Sequence, residues 1–302
     1  MTSDVSPPAG PARDTVLADG NDRMSVDRVV AYHLLLAAMC FAPLLVDGHA
    51  LMGNTDVSTC SVPVLLMVKH QIEQGIYGQW NPHVLCGAPV AAYANGPQYS
   101  VLFWLLYPVP DSHVYWVGSI LLLLLFWGTG CFAHRFFRRE IGSDRWALLS
   151  STIFMLCGYT LWVLTTFDLY LQWFCVTVAL YLVWSAHERP AWRTLLFLFP
   201  VLVQGSLPGH ILVALFLLLM MGVLTLYRVC VARHVLSRRQ IAGVAVAMVL
   251  AGVVFALRAL PTAGAVADSS RTSSYSLFTT RLSSLALRWF VPEIFGVQYQ
   301  DS

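Results

Sequence analysis

Long apolar runs alternate with short polar connections along most of this chain. A helix needs about 20 apolar residues to cross a hydrocarbon core of about 30 Å. The runs occupy residues 29–51, 114–134, 146–166, 169–186, 194–207, 211–227 and 241–260. This pattern predicts an all-α integral membrane protein with about seven transmembrane helices, of which the fifth is short and runs into Pro208.

The composition agrees with a protein whose solvent is lipid. Apolar residues make up 57% of the 302 residues and charged residues only 11%. Soluble globular domains do not reach this balance. The formal net charge is +2 at pH 7, and nothing in so small a charge indicates a nucleic-acid partner.

Arginines fall on alternate connections between the apolar runs. They precede the first run and follow the second, fourth and sixth: Arg13, Arg23, Arg28, Arg135, Arg138, Arg139, Arg145, Arg189, Arg193, Arg228, Arg233, Arg238 and Arg239. Basic residues in short loops stay on the cytoplasmic side of a membrane. The N-terminus is therefore expected inside, whereas the segment 52–112, the turns at Asp168 and His210 and the C-terminal segment are expected outside.

The chain divides into three predicted regions. Residues 1–28 are rich in Pro, Ala, Asp and Ser without apolar periodicity, which predicts a disordered cytoplasmic tail and not a cleavable signal peptide. Residues 29–260 form the transmembrane domain, including an outer loop at residues 52–112. Residues 261–302 form an outer-face C-terminal segment.

The first outer loop is long, apolar and rich in turn-forming residues. Apolar positions recur at helical spacing over residues 62–74, which predicts a short amphipathic helix in the interfacial plane. The run 99–109 is about half the spanning length and is expected to be interfacial or re-entrant. Glycines and prolines impose turns on the rest, so the loop is expected to form a compact lid. Within it, Cys60 and Cys86 are equally consistent with a disulfide and with two unpaired thiols.

Asp56 lies in this loop, just beyond the first apolar run. A carboxylate at this position is suited to act as a general base that takes a proton from a hydroxyl group. Two other interpretations stay open. Asp56 caps the helix that follows it, or Asp47, at the exit of the first run, is the base.

Three further polar residues lie on the same predicted side. Asp168 occupies the short turn between the third and fourth runs, and is either a loop carboxylate in water or a group that faces a cavity. His210 is suited either to contact a phosphate or sugar hydroxyl or to cap a helix. Arg271 lies in a serine-rich turn, where a guanidinium is a natural clamp for a lipid phosphate.

The glycine motifs of nucleotide binding, the ligand clusters of metal sites and the nucleophile turn of hydrolases are missing at the spacing that their chemistry requires. No cofactor is therefore expected, and a divalent metal is not indicated. The energy for any reaction must come from the substrate itself.

Several short motifs resemble, in order, those of the bacterial YfhO-like membrane proteins, a family of GT-C class glycosyltransferases. They are Gly53-Asn54-Thr55-Asp56, Gly75, Trp80-Asn81-Pro82, Gly87-Ala88-Pro89, the run 99–108, Pro208-Gly209-His210, Leu260-Pro261-Thr262, Ser270-Arg271 and residues 291–296. The resemblance covers about residues 29–296. Members of that family are longer, so the resemblance predicts a truncated member.

The resemblance implies a glycosyltransferase of the bacterial inner (cytoplasmic) membrane. Its donor would be a polyprenyl-phosphate sugar and its acceptor a cell-envelope glycan or lipid on the outer face, with membrane lipids as further partners. Asp56 takes the catalytic position. The residues expected to bind substrate are Arg271, His210, Asp168, Trp80 and Asn81.

A transporter or flippase for a lipid-linked or polar substrate is the main alternative, and a non-catalytic remnant is a third. Transporters place ionisable groups near the bilayer midplane and show internal repeats. Here the acids lie at the predicted outer ends of the apolar runs and no repeat is visible. This arrangement favours the enzyme.

Overall fold

The computed structural model describes residues 24–46, 62–76, 80–81, 88–89, 99–164, 167–207, 211–230 and 236–267. Almost all of these residues are helical. The helices are α1 (Val26–Val46), α2 (Val62–Glu73), α3 (Val101–Leu106), α4 (Val114–Ile141), α5 (Asp144–Leu156), α6 (Gly158–Leu164), α7 (Phe167–Trp184), α8 (Ala191–Ser206), α9 (Ile211–Cys230) and α10 (Arg238–Ala267). Two short 3₁₀ turns, Asp111–His113 and Ala186–Glu188, precede α4 and α8.

The expected fold class is confirmed at the level of an all-α membrane protein. Among the described residues, three helical segments are long and apolar enough to cross a membrane: Asp111–Ile141, Val213–Cys230 and Arg238–Leu260. Asp168–Trp184 is a shorter apolar helix. The total of seven spans stays a prediction. The described strands are β1 (Trp80–Asn81) and β2 (Ala88–Pro89), which pair antiparallel with Trp80 opposite Pro89.

Helix α7 lies at the centre of the bundle. It packs against α4, α6, α8 and α9, and α10 packs along α8 on the far side. Its side chains are buried on nearly every face, including Tyr170, Val176, Ala179 and Val183. A helix with apolar residues on all sides is expected at such a central position, because it has no polar face that favours contact with water.

The third apolar run is two helices and not the single helix that the sequence predicts. Helix α5 ends at Leu156, Cys157 is extended (φ −65°, ψ 147°), and α6 starts at Gly158. The hydroxyl of Thr160 donates to the carbonyl of Phe154 at 2.8 Å, which satisfies a backbone group that the break leaves open. Side-chain hydrogen bonds of this kind allow a helix to be interrupted in apolar surroundings.

Helix α2 forms where the sequence predicts an amphipathic helix at residues 62–74, while its place in the interfacial plane stays a prediction. Its apolar face is buried through Val62, Leu65 and Val68, which belong to the main hydrophobic core. Lys69 fixes the helix to the segment before α4: its ammonium donates to the Asp111 carboxylate at 2.7 Å and to a backbone carbonyl at 2.6 Å. The helix that follows the Asp56 loop is therefore anchored to the bundle.

Several polar contacts between helices lie near the ends of the bundle. One end, here called the arginine end, joins the end of α4, the turn between α7 and α8, the end of α9 and the start of α10. Arg139 pairs there with Glu188, Arg228 contacts His187, and Gln240 donates to the His187 carbonyl. The arginine-bearing segments within the described residues thus share one end, while Arg13, Arg23 and Arg233 lie outside them and the side of the membrane that this end faces stays a prediction.

Candidate functional site

The residues predicted to form the site are only partly within the described chain. Asp56, His210 and Arg271 lie outside the described residues. Trp80 and Asn81 are described only as the backbone of β1, and their side chains also lie outside the described part. Asp168 is the one candidate with a described side chain, so the site is built from this residue outward.

Asp168 occupies the first turn of α7, at the end of the bundle opposite the arginine end. It is only 6% exposed, which excludes the interpretation as a loop carboxylate in water and supports the alternative of a group turned inward. Burying a carboxylate costs free energy unless it is paired and hydrogen-bonded. The hydroxyl of Ser100, the residue before α3, donates a hydrogen bond to it, and the guanidinium of Arg258 acts on it electrostatically.

Arg258 is the cation of this cluster, and sequence reasoning did not single it out. It projects from the part of α10 that packs against the end of α8, and it is 5% exposed. Its Nη1 donates to the Ser206 carbonyl at 3.3 Å, and Tyr99 is a further electrostatic neighbour. The sequence did contain a signal, because an arginine inside an apolar run of spanning length is costly and is commonly functional.

Two glutamines complete the polar surroundings of Asp168 and Arg258. Gln172, one turn after Asp168 on α7, donates to the Gly205 carbonyl at 3.1 Å. The side-chain oxygen of Gln204 accepts from the backbone N–H of Val101 at 3.1 Å. The last carbonyls of a helix and the first N–H groups of the next have no partner within their own helix. These glutamines and Arg258 supply such partners where α8 ends and α3 begins.

An apolar groove of about 330 Å³ runs beside this cluster between α3, α4, α7 and α8. Its lining includes Val101, Leu171 and Gln204, each of which lies next to a residue of the polar cluster or contacts it. The Nε2 of Gln204 is buried and has no hydrogen-bond partner among the described residues. Apart from this amide, the lining is hydrocarbon and thiol: Leu102, Leu105, Leu121, Leu124, Leu125, Phe174, Cys175, Pro200 and Val201.

The Asp168 cluster, defined as Ser100, Asp168, Gln172, Gln204 and Arg258, combines three kinds of chemistry. It has a carboxylate that is able to accept a proton, a guanidinium that is able to hold an anion, and an amide with a free donor. No group of three or more His, Cys, Asp or Glu side chains in the described part of the chain is placed to hold a metal ion. The arrangement is suited to a ligand with a polar, anionic head and an apolar tail.

A second buried polar group lies at the arginine end. The ring nitrogens of His33 are 2.8 Å from the Val29 carbonyl and 2.9 Å from the Ser151 hydroxyl. His134 lies against His33 with ring centroids 5.9 Å apart and is 3.9 Å from the Asp144 carboxylate. These contacts tie α1, α4 and α5 together. We assign this group to helix packing.

Comparison with known proteins adds no further evidence for the site. No family model, no curated protein and no solved structure matches the chain.

Proposed function

We propose that this chain is a seven-span glycosyltransferase of the bacterial inner membrane. It moves a sugar from a polyprenyl-phosphate donor to a glycan or lipid acceptor of the cell envelope, on the outer face. The observation that carries the proposal is the buried Asp168–Arg258 cluster beside an apolar groove in an all-helical membrane protein. The resemblance of the ordered motifs to the YfhO-like family is its second support.

The reaction divides between a base and a phosphate site. Asp56 takes the proton from the acceptor hydroxyl, the acceptor oxygen bonds to the anomeric carbon, and the bond from that carbon to the donor phosphate breaks. The electron pair leaves with the prenyl-phosphate, whose negative charge a guanidinium stabilises. Arg271 and His210 are the proposed phosphate contacts, and we add Arg258 to them because it is buried and contacts the Ser206 carbonyl, two residues after Gln204 of the groove lining.

The remaining predicted residues have binding roles in this proposal. Asp168 holds Arg258 in place and contacts the polar head of the donor, while Trp80 and Asn81 contact the sugar. In the sequence, His210 directly precedes Ile211, the first residue of α9, and follows Ser206, whose carbonyl Arg258 contacts, by four residues. This sequence connection supports a shared site for His210 and Arg258.

The test is a transfer assay with purified protein and a radiolabelled polyprenyl-phosphate sugar in the presence of membrane acceptor. Asp56→Asn should lower the initial rate by about 100-fold or more, as expected when a general base is removed. Asp47→Asn is the matched control, because it makes the same change at the competing carboxylate, and it should keep the rate within about threefold.

Two outcomes would contradict the proposal. If Asp56→Asn transferred sugar at the rate of the unchanged chain, Asp56 would not be the base. If the protein moved the labelled donor across vesicle membranes without transferring its sugar, the chain would instead be a transporter or flippase.

A further inference from the structure

Four arginines at the arginine end lie where two parallel helices begin. Arg189 and Arg193 flank the start of α8, and Arg238 and Arg239 open α10. We propose that this surface, here called the α8–α10 patch, binds the phosphate head groups of anionic phospholipids in the leaflet that it faces. The site is separate from the Asp168 cluster and does not depend on the proposed transfer reaction.

Hydrogen bonds hold the two halves of the patch together. The side-chain nitrogen of Gln240, the residue after Arg239, donates to the Arg189 carbonyl at 2.9 Å. Helix α10 also approaches the start of α8 closely, because a Cβ placed on Gly243 would lie only 3.0 Å from the Ala191 carbonyl oxygen. The four positive charges therefore belong to one surface, although they come from two separate stretches of the chain.

Acidic side chains do not neutralise the patch within the described structure. Glu188, which directly precedes Arg189, pairs with Arg139 at 2.6 Å. None of the ion pairs between described residues includes an arginine of the patch. Arg189 instead contacts the ring and hydroxyl of Tyr181. Its partners are neutral, so its positive charge stays available to an anion.

The position of the arginines on their helices points to an anion as well. The N-terminus of a helix is its positive end, where acids are favoured and cations are not. Neither α8 nor α10 has an acid in its first turn, and Arg193, Arg238 and Arg239 stand there instead. Helix stability does not favour these positions, and orientation in the membrane accounts for the sign of the charge. A phosphate bound here would in addition be attracted by the arginines and by both helix ends at once.

The aromatic residue beside the patch indicates that the anion belongs to a lipid. Trp192 is 61% exposed, and Arg193 lies over its ring with 5.1 Å between the guanidinium carbon and the ring centroid. Exposed tryptophans are enriched at the level of the lipid head groups. Basic clusters at that level bind anionic lipids. The positive charge of the arginines and the position of Trp192 at the level of the head groups therefore both favour a phospholipid phosphate as the bound anion.

The experiment measures lipid binding by the full chain in dodecyl maltoside by native mass spectrometry. Dioleoyl-phosphatidylglycerol is the anionic probe, and dioleoyl-phosphatidylcholine is the zwitterionic probe with the same acyl chains. We expect the unchanged chain to bind phosphatidylglycerol at least about tenfold more tightly than phosphatidylcholine. The double variant R238Q/R239Q should bind phosphatidylglycerol about tenfold more weakly than the unchanged chain. The matched control R28Q/R135Q removes two exposed arginines from α1 and α4 at the same end and should change the affinity less than about twofold.

Equal binding of the two lipids would overturn the proposal. So would an unchanged preference for phosphatidylglycerol in R238Q/R239Q, or an equal loss in the R28Q/R135Q control, since either result would place the lipid elsewhere. Tight binding of a polyglutamate peptide that displaces phosphatidylglycerol would also overturn it and would indicate an acidic protein partner.

Discussion

The two ends of the bundle differ in what surrounds their charged groups. At the Asp168 end, a carboxylate and a guanidinium are both less than 7% exposed and lie beside an apolar groove. At the arginine end, Arg139 and Glu188 form a short ion pair in which both side chains reach solvent, with exposures of 27% and 46%. A pair in water contributes little to stability, while a buried pair is costly to break. The arginine end also buries charge, since Asp144 is 2% exposed and pairs with Arg138 at 2.7 Å. What distinguishes the Asp168 end is that its buried charges lie beside an apolar groove.

This contrast also separates two uses of arginine in one membrane protein. Arginines at the ends of apolar runs are explained by orientation in the membrane, although Arg228 among them is also buried and lies over the Trp184 ring. Arg258 differs in position, because it lies inside the apolar run 241–260 and donates to the Ser206 carbonyl at the end of α8. An ionisable group held inside in this way marks a candidate site.

The largest expected effect comes from removing the buried cation that acts electrostatically on Asp168. Arg258→Met leaves Asp168 buried without its cation, and we expect a loss of about 3 kcal/mol in the free energy of unfolding. Thermal or denaturant unfolding in detergent micelles measures it. The double variant Asp168→Asn with Arg258→Met removes both charges and should recover more than half of that loss. Additive losses in this cycle would show that the two residues do not interact.

A smaller effect is expected from crowding the helix contact at the arginine end. A Cβ on Gly130 of α4 would overlap the His33 ring and the sulfur of Met155, so Gly130→Ala should lower the free energy of unfolding by about 1–3 kcal/mol. Gly252→Ala on α10 is the matched control, since no atom lies within 4 Å of its added Cβ. The control should be neutral or stabilise the helix by up to about 1 kcal/mol. Equal losses in both variants would contradict the packing described for α1, α4 and α5.

The smallest effect is expected for the exposed ion pair. Arg139→Gln and Glu188→Gln should each change the free energy of unfolding by less than about 1 kcal/mol, because water and salt screen both partners. The same micelle unfolding assay applies at low and high salt. A loss as large as that of Arg258→Met would remove the contrast between the two ends.

The sequence predicts the parts of this fold that depend on local pattern. Helical spacing of apolar residues located α2, and the alternation of arginines grouped the segments that meet at the arginine end. The sequence does not predict the break at Cys157, because the run 146–166 is apolar on both sides of it. The break involves a hydrogen bond from the Thr160 hydroxyl to the Phe154 carbonyl, which the apolar pattern does not indicate.

The candidate site was predictable only in part, for a related reason. Asp168 stood out because it is an acid in a predicted short turn. Its sequence neighbours do not determine whether the carboxylate faces water or the interior of the bundle. Its interior position depends on Ser100 and Arg258, which are distant in sequence. They come close to Asp168 only through the packing of α3, α7, α8 and α10. Pairings of this kind depend on tertiary structure and not on local spacing.

The most direct test of the central claim compares the same chemical change at the two ends. Asp168→Asn and Glu188→Gln each replace a carboxylate with an amide, and sugar transfer from a polyprenyl-phosphate donor is measured at equal amounts of folded protein. We predict that Asp168→Asn lowers the transfer rate about tenfold or more, which corresponds to about 1.4 kcal/mol in the barrier, while Glu188→Gln leaves it unchanged. Equal rates for the two variants would contradict the assignment of the transfer site to the Asp168 end.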